Sequence, residues 1–314
     1  MINMSELRYR IIVVRLGWSS FGWQGLPANP RVEDIDKYSE DVNNATMGFI
    51  RDNGFGHEWW NFDNNILERF DIKDASKEYY YGTNPRGLSG LERKIREAAQ
   101  ISKFIVLFIS RDIRDNTMKL IGVYVDADIN REGFTAIVKP EYKKALVKNL
   151  VRNANISSST KENFESEFRE ITFIFRAPKS KSFLLSQPKK INQNELFGRV
   201  IGKIDGVDVT ETLNYDLLIN ILEEIKKESE DEILIKKVEN LINIVKSMGP
   251  IAKEEIEEKR EKIPKELLVY YKRIKEHDDC KRALIELGNL LGCNTYEEYS
   301  LAGYRYDVIW TIYP

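Results

Sequence analysis

Residues whose types could do chemistry gather near both ends of the chain. Close to the last residue, Tyr304-Arg-Tyr-Asp-Val-Ile-Trp310 sets one carboxylate, Asp307, inside an otherwise apolar strand-like run, with Glu297 and Glu298 shortly before it. Aspartate is disfavoured in strand interiors and costly to bury without a partner, so Asp307 is an unusual residue at this place. The plainer reading is that Asp307 ends a strand in an unrelated α/β unit.

At the other end, four of the five tryptophans, Trp18, Trp23, Trp59 and Trp60, fall in two loop-like stretches of the first sixty residues. Aromatic rings that stack on an extruded base contribute about 1–3 kcal/mol each. Asn61 and Asp63 stand beside the second pair and could read the edge of that base. The competing reading is that these rings fill a core. His57 is far in sequence from His277 and has no cysteine near it, so no metal site is expected there. Gly87-Leu-Ser-Gly90 lacks the Gly-Lys-Ser/Thr of a phosphate-binding loop, which argues against nucleotide hydrolysis.

Composition bounds the rest. The 314 residues suffice for two domains, and 42% hydrophobic and 31% charged residues are ordinary for a soluble intracellular protein. No apolar run is long enough to span a bilayer, and the polar opening residues do not read as a signal peptide. The only cysteines, Cys280 and Cys293, make neither a zinc site nor a disulfide framework, so a cytoplasmic location is expected. Charge is uneven. Residues 139–203 hold fourteen Lys/Arg against six Asp/Glu, a local charge of +8, whereas 211–262 hold nine against fourteen, or −5. The basic stretch includes Lys179, Lys181, Lys189 and Lys190 and suits a polyanion-binding face; the alternative is a solvated surface of uneven charge.

Periodicity supplies the elements that must position these groups. Strands are expected at 7–14, 103–110, 119–129, 170–176 and 182–185, with 197–204 closing the domain. The apolar spacing of Leu91, Ile95, Ala98 and Ala99 predicts a helix over 88–100. Two amphipathic helices are expected after Asn214, the second broken at Gly249-Pro250, followed by a charged stretch, 251–262, that reads as a solvated helix or a linker. A last helix at 278–291 ends at Gly292.

The phrase Leu284-Ile-Glu-Leu-Gly-Asn-Leu-Leu-Gly292, followed by Tyr304-Arg-Tyr-Asp-Val-Ile-Trp310, resembles the opening of PD-(D/E)XK nuclease-like domains of archaea and bacteria. The resemblance covers 264–314 and places the family's metal-binding aspartate on Asp307, which implies Asp307 as metal ligand and catalytic residue for phosphodiester hydrolysis with Mg²⁺. One carboxylate makes only part of a Mg²⁺ site, and Glu298, beside Glu297, is the candidate second carboxylate. The resemblance also implies a following strand with Glu-x-Lys, but only Thr311-Ile-Tyr-Pro314 follow here, so an incomplete core is expected. Further upstream, Val106-Leu-Phe-Ile-Ser110 and Ile121-Gly-Val-Tyr124 are similar to the central hairpin of PUA-like barrels, including the EVE and YTH domains. That resemblance implies recognition of RNA or modified DNA through an aromatic cage.

The expected architecture is α+β. An N-terminal mixed β-barrel-like recognition domain with helices (1–210) leads through a helical linker (211–263) to a short C-terminal α/β nuclease-like fragment (264–314). The expected function is a nucleic-acid-binding protein of restriction or defence type, reading a base in DNA rather than RNA. Two alternatives stand beside it. One is an active Mg²⁺-dependent endonuclease completed by a partner chain or by self-association through the C-terminal segment; the other is a non-enzymatic interaction scaffold. No membrane partner is expected.

Overall fold

The computed structural model describes residues 9–98, 102–201, 206–261, 284–285, 294–301 and 304–311. Contacts divide the chain into two units, 1–250 and 251–314.

The first unit is organised around β4 (Lys103–Arg111), whose seven interior residues are all buried. A strand apolar on both faces belongs at the centre of a covered sheet. It lies between β1 (Tyr9–Leu16), its parallel partner, and the 21-residue β5 (Met118–Val138), its antiparallel partner. The expected hairpin is thus present, turning through Asn116 at φ +58°. β5 outruns β4 and carries two half-sheets. Its first part pairs with β4 and β7 (Phe183–Lys190); its second pairs with β6 (Glu170–Pro178) and β2 (Phe70–Ile72). Register shifts and a left-handed residue, Asp126, mark the passage from one to the other.

The sheet is open, and the expected barrel does not form. One half ends at β8 (Gly206–Asp208), against β1, and the other at β3 (Tyr79–Gly82), against β6. Barrel closure requires the terminal strands to pair, and no such pairing joins these two short edges. Helices cover the faces instead. α1 (Val32–Asn43), α2 (Gly48–Asn53), α5 (Pro140–Leu146) with its π-helical continuation Val147–Val151, and α6 (Ser158–Glu167) lend Tyr38, Ile50, Leu146 and Phe164 to the main core. Short α3 (Ile66–Arg69) and α4 (Arg93–Ala98) lead into β2 and towards β4. The expected helix at 88–100 is shorter, because Gly87–Gly90 is a 3₁₀ turn and Leu91 bridges to Gly206 of the edge strand. Residues 197–201, the described part of the expected closing strand, are not in a strand. α7 (Gln193–Phe197) ends at the left-handed Gly198, and residues 202–205 lie outside the described set.

α8 (Tyr215–Glu228) starts at Asn214, whose side chain accepts from the Leu217 amide. It buries Leu218, Ile221, Leu222 and Ile225. α9 (Glu232–Glu261) buries Val238, Leu241, Ile242 and Val245, and runs through Gly249-Pro250 where a break was expected. An interior proline forfeits one backbone hydrogen bond and costs about 3 kcal/mol; the boundary between the two units falls at this proline. Lys189 pairs with Glu224 and Glu228 at 2.9 and 2.7 Å, and the Lys237 ammonium donates to the Ser182 carbonyl at 2.9 Å. These bonds tie both helices to β7 and its approach, so 215–248 sits within the first unit rather than apart from it.

In the second unit, β9 (Asn294–Leu301) and β10 (Tyr304–Thr311) form an antiparallel pair. The helix expected at 278–291 lies outside the described residues, apart from 284–285. Among the described residues no helix is long and apolar enough to cross a membrane.

Candidate functional site

The two tryptophan-bearing loops are locked to each other. The Gly25 amide donates to the Trp59 carbonyl at 2.9 Å and the Phe62 amide to the Trp23 carbonyl at 2.8 Å. The first loop turns back through Gly22, Trp23 and Gly25, all at positive φ. Gly25 has no room for a side chain, since an added Cβ would lie 2.1 Å from the Arg69 guanidinium and 2.4 Å from the Trp60 ring. Three of the four candidate tryptophans are consequently interior, with Trp23, Trp59 and Trp60 at most 1% exposed. Trp23 donates to the Gly17 carbonyl at 3.0 Å; Trp60 donates to the Tyr142 hydroxyl at 3.2 Å and stacks on Phe168. They offer no face to a ligand. Their large apolar area stabilises the loop layer by burial. Trp18 is half-buried, edge-on to Trp23, with the Arg114 guanidinium 5.1 Å from its ring centre.

Asn61 and Asp63 are structural in the same sense. The Asn61 side-chain amide exchanges two hydrogen bonds with the Thr83 backbone, at 2.8 and 2.9 Å, and the Asn61 backbone carbonyl accepts from the Tyr124 hydroxyl. Asp63 accepts from Arg69 at 2.8 Å and from the Asn65 amide at 2.9 Å, while burial pushes its carboxyl up to about 6 against the Arg69 charge. His57 packs against Phe49 and Phe55, and burial pushes its imidazole down.

What these loops do expose is the wall of a cavity of about 210 Å³. Buried Phe62, Tyr80 and Phe183 form its deep side, and exposed Gln24 and Asn64 stand at its rim. The start of α9 completes it with Asp231, Ile233, Leu234 and Lys237. Arg69 fixes the Gln24 backbone by donating to its carbonyl at 2.6 Å. Tyr80 is stacked 5.8 Å above Tyr124 at an interplanar angle of 4°, edge-on to Phe62, so its ring is rigidly held. The Lys179 ammonium lies 5.4 Å from the Tyr80 ring centre and donates to the Asn64 carbonyl at 3.1 Å. Burial pushes both Lys179 and Lys237 below the usual lysine range.

A cavity of about 150 Å³ holds benzene, so this one admits a single planar ring system. Each side-chain amide offers both a donor and an acceptor, the pattern that a base edge presents in return. The pocket draws on residues from Gln24 to Lys237, and no local sequence motif marked Gln24, Tyr80 or Lys237.

The four lysines assigned to a polyanion face divide. Lys181 is paired with Asp126, and Lys189 with two α8 carboxylates. Lys179 lies over the Tyr80 ring and donates to the Asn64 carbonyl without lining the cavity; Lys190 is exposed and has no ion pair among the described residues. The α5 segment adds Lys144 and Lys148, exposed and likewise without an ion pair among the described residues. Its Tyr142 donates to the Leu26 carbonyl at 2.7 Å and lies under Arg69, so this basic stretch is continuous with the loop that bears Gln24.

Asp307 lies on β10 between Tyr306, paired with Tyr299, and Val308, paired with Glu297, which sets Glu298 across the ladder from it. Comparison of the chain with protein-family models, curated proteins and solved structures finds no match.

Proposed function

We propose that this chain is a nucleic-acid-binding protein of restriction or defence type that takes one unstacked base into the Tyr80 pocket. The carrying observation is the pocket itself: a fixed aromatic wall, two rim amides and Lys237 in the lining. Stacking on such a ring contributes about 1–3 kcal/mol per base and tolerates any base. Gln24 and Asn64 then discriminate between base edges, and Lys144, Lys148 and Lys190 carry the phosphodiester backbone. DNA is the proposed polymer and RNA the control. The defence setting rests on the resemblance of 264–314 to nuclease-like domains.

The test is fluorescence anisotropy with single-stranded, duplex and base-modified probes over a salt series. The expected result is binding that weakens steeply with salt, as release of phosphate counterions requires. Gln24→Ala and Asn64→Ala should reduce preference among bases while leaving the salt dependence intact. Absence of binding to every probe, or salt-insensitive binding, contradicts the proposal.

The facing positions of Asp307 and Glu298 favour a second reading, in which the chain takes part in Mg²⁺-dependent cleavage. Carboxylate oxygens are the donors this ion requires. Plasmid nicking by wild type but not by Asp307→Ala would support that reading; equal activity in both removes Asp307 from it.

A further inference from the structure

β1 and β4 run parallel, with Arg15 beside Ile109 and Leu16 beside Ser110. Alternate residues divide between the two faces of the sheet. Ile12, Val14 and Leu16 join the main core, leaving Ile11, Val13 and Arg15 for the opposite face. Arg111 follows Ile109 by two residues and so projects to that same face, at the carboxyl end of β4.

Two guanidinium groups therefore meet at the carboxyl ends of two parallel strands. Arg15 is only 8% exposed, yet it has no hydrogen-bond or ion-pair partner among the described residues. Burial first, and the Arg111 charge second, push Arg15 below the usual arginine range. Arg111 donates through Nη1 to the Asn116 side chain at 2.9 Å, while its Nε is buried with no partner. Of the two guanidinium groups only the Arg111 Nε is a buried nitrogen without a partner; the Arg15 nitrogens reach solvent. Two like charges thus stand near each other where an anion from solvent can reach them, and a negative charge there offsets their repulsion.

We infer that Arg15 and Arg111 form a binding site for a phosphoryl oxyanion. The planar forks of two arginines match tetrahedral phosphoryl oxygens, and the anion converts their repulsion into a bridge. The position fits as well, because open sheets with parallel strands bind ligands outside the carboxyl ends of those strands. The site is separate from the Tyr80 pocket and does not depend on its function. The phosphoryl group can belong to a free nucleotide or to a nucleic-acid strand, and the two sources are separable.

The test is thermal unfolding of the full chain at constant ionic strength in chloride, with and without millimolar inorganic phosphate. Wild type should gain several degrees from phosphate, and Arg15→Gln and Arg111→Gln should each lose that gain. Without phosphate, Arg15→Gln should unfold at the wild-type temperature or above it, since one of two facing charges is gone; a structural arginine would give the reverse. Arg15→Lys keeps the charge but not the fork, and should lose most of the phosphate response. A nucleoside monophosphate and a 5′-phosphorylated oligonucleotide, set against its 5′-hydroxyl form, then identify the source. The proposal is overturned if phosphate adds nothing beyond chloride, or if both glutamine variants keep the wild-type gain.

Discussion

Asp41, near the end of α1, allows a prediction whose sign and size both follow from geometry. Its side chain is almost wholly buried and accepts two hydrogen bonds from Ser20, from the amide and the hydroxyl, each at 2.7 Å. Burial dominates these bonds and the Arg114 charge, and pushes the carboxyl up to about 7. The unfolded chain releases this proton near pH 4, at the ordinary aspartate value, whereas the folded chain holds it until about 7. Stability contributed by Asp41 is thus fully present below about pH 4 and lost as pH rises to 7. About three pKa units correspond to about 4 kcal/mol, and relaxation around the ionised group lowers this to about 2–4 kcal/mol. Asp41→Asn keeps the geometry: Oδ1 accepts from the Ser20 amide and Nδ2 donates to the Ser20 hydroxyl. Urea unfolding followed by circular dichroism should show variant and wild type close together near pH 4. The variant should be more stable by about 2–4 kcal/mol near pH 8. A difference between the two proteins that does not change with pH refutes the assignment of a buried, protonated Asp41.

Asp112 should behave in the opposite sense. Arg114 first, with Lys119, holds its carboxyl well below the usual range, so its stabilisation is present above about pH 4 and lost as pH falls below that. Asp112→Asn should cost about 1.5–3 kcal/mol near neutrality, the range for hydrogen bonds to charged groups, with the loss shrinking in acid. Gly25→Ala meets both a positive φ of +80° and the Arg69 and Trp60 side chains; thermal unfolding should show a loss of at least about 2 kcal/mol. Trp60→Ala should cost about 3–5 kcal/mol as a core truncation, whereas half-buried Trp18→Ala should cost clearly less in the same urea titration.

How much of this was legible in the sequence depends on the element. β4 and the start of β5 stand out because an unbroken apolar run followed by a polar turn has few other solutions. Asn214 announces α8 through its capping side chain. Barrel closure was not legible, because it rests on whether edges of three and four residues, β8 and β3, find each other. The tryptophans misled for a related reason. Composition places them in loops, but only the hydrogen bonds between 23–25 and 59–62 turn those loops inward. Tyr80 escaped notice because its neighbours Gln24, Leu184 and Lys237 are distant in sequence and ordinary in type. Local charge counts overstated the basic face for the same reason, since the carboxylates that neutralise Lys181 and Lys189 lie outside the basic segment.

The most direct measurement fills the pocket. Leu184 lines it and is partly exposed, so Leu184→Trp can occupy the cavity without disturbing the interior. Dissociation constants are compared for an oligonucleotide with all its bases and the same strand carrying one abasic position at the recognised site. Wild type should prefer the intact strand by about 5- to 150-fold, the equivalent of about 1–3 kcal/mol of stacking. The filled variant should bind both strands alike, at the wild-type affinity for the abasic one. If Leu184→Trp folds and keeps the wild-type preference, the base does not enter the Tyr80 pocket and the central claim is wrong.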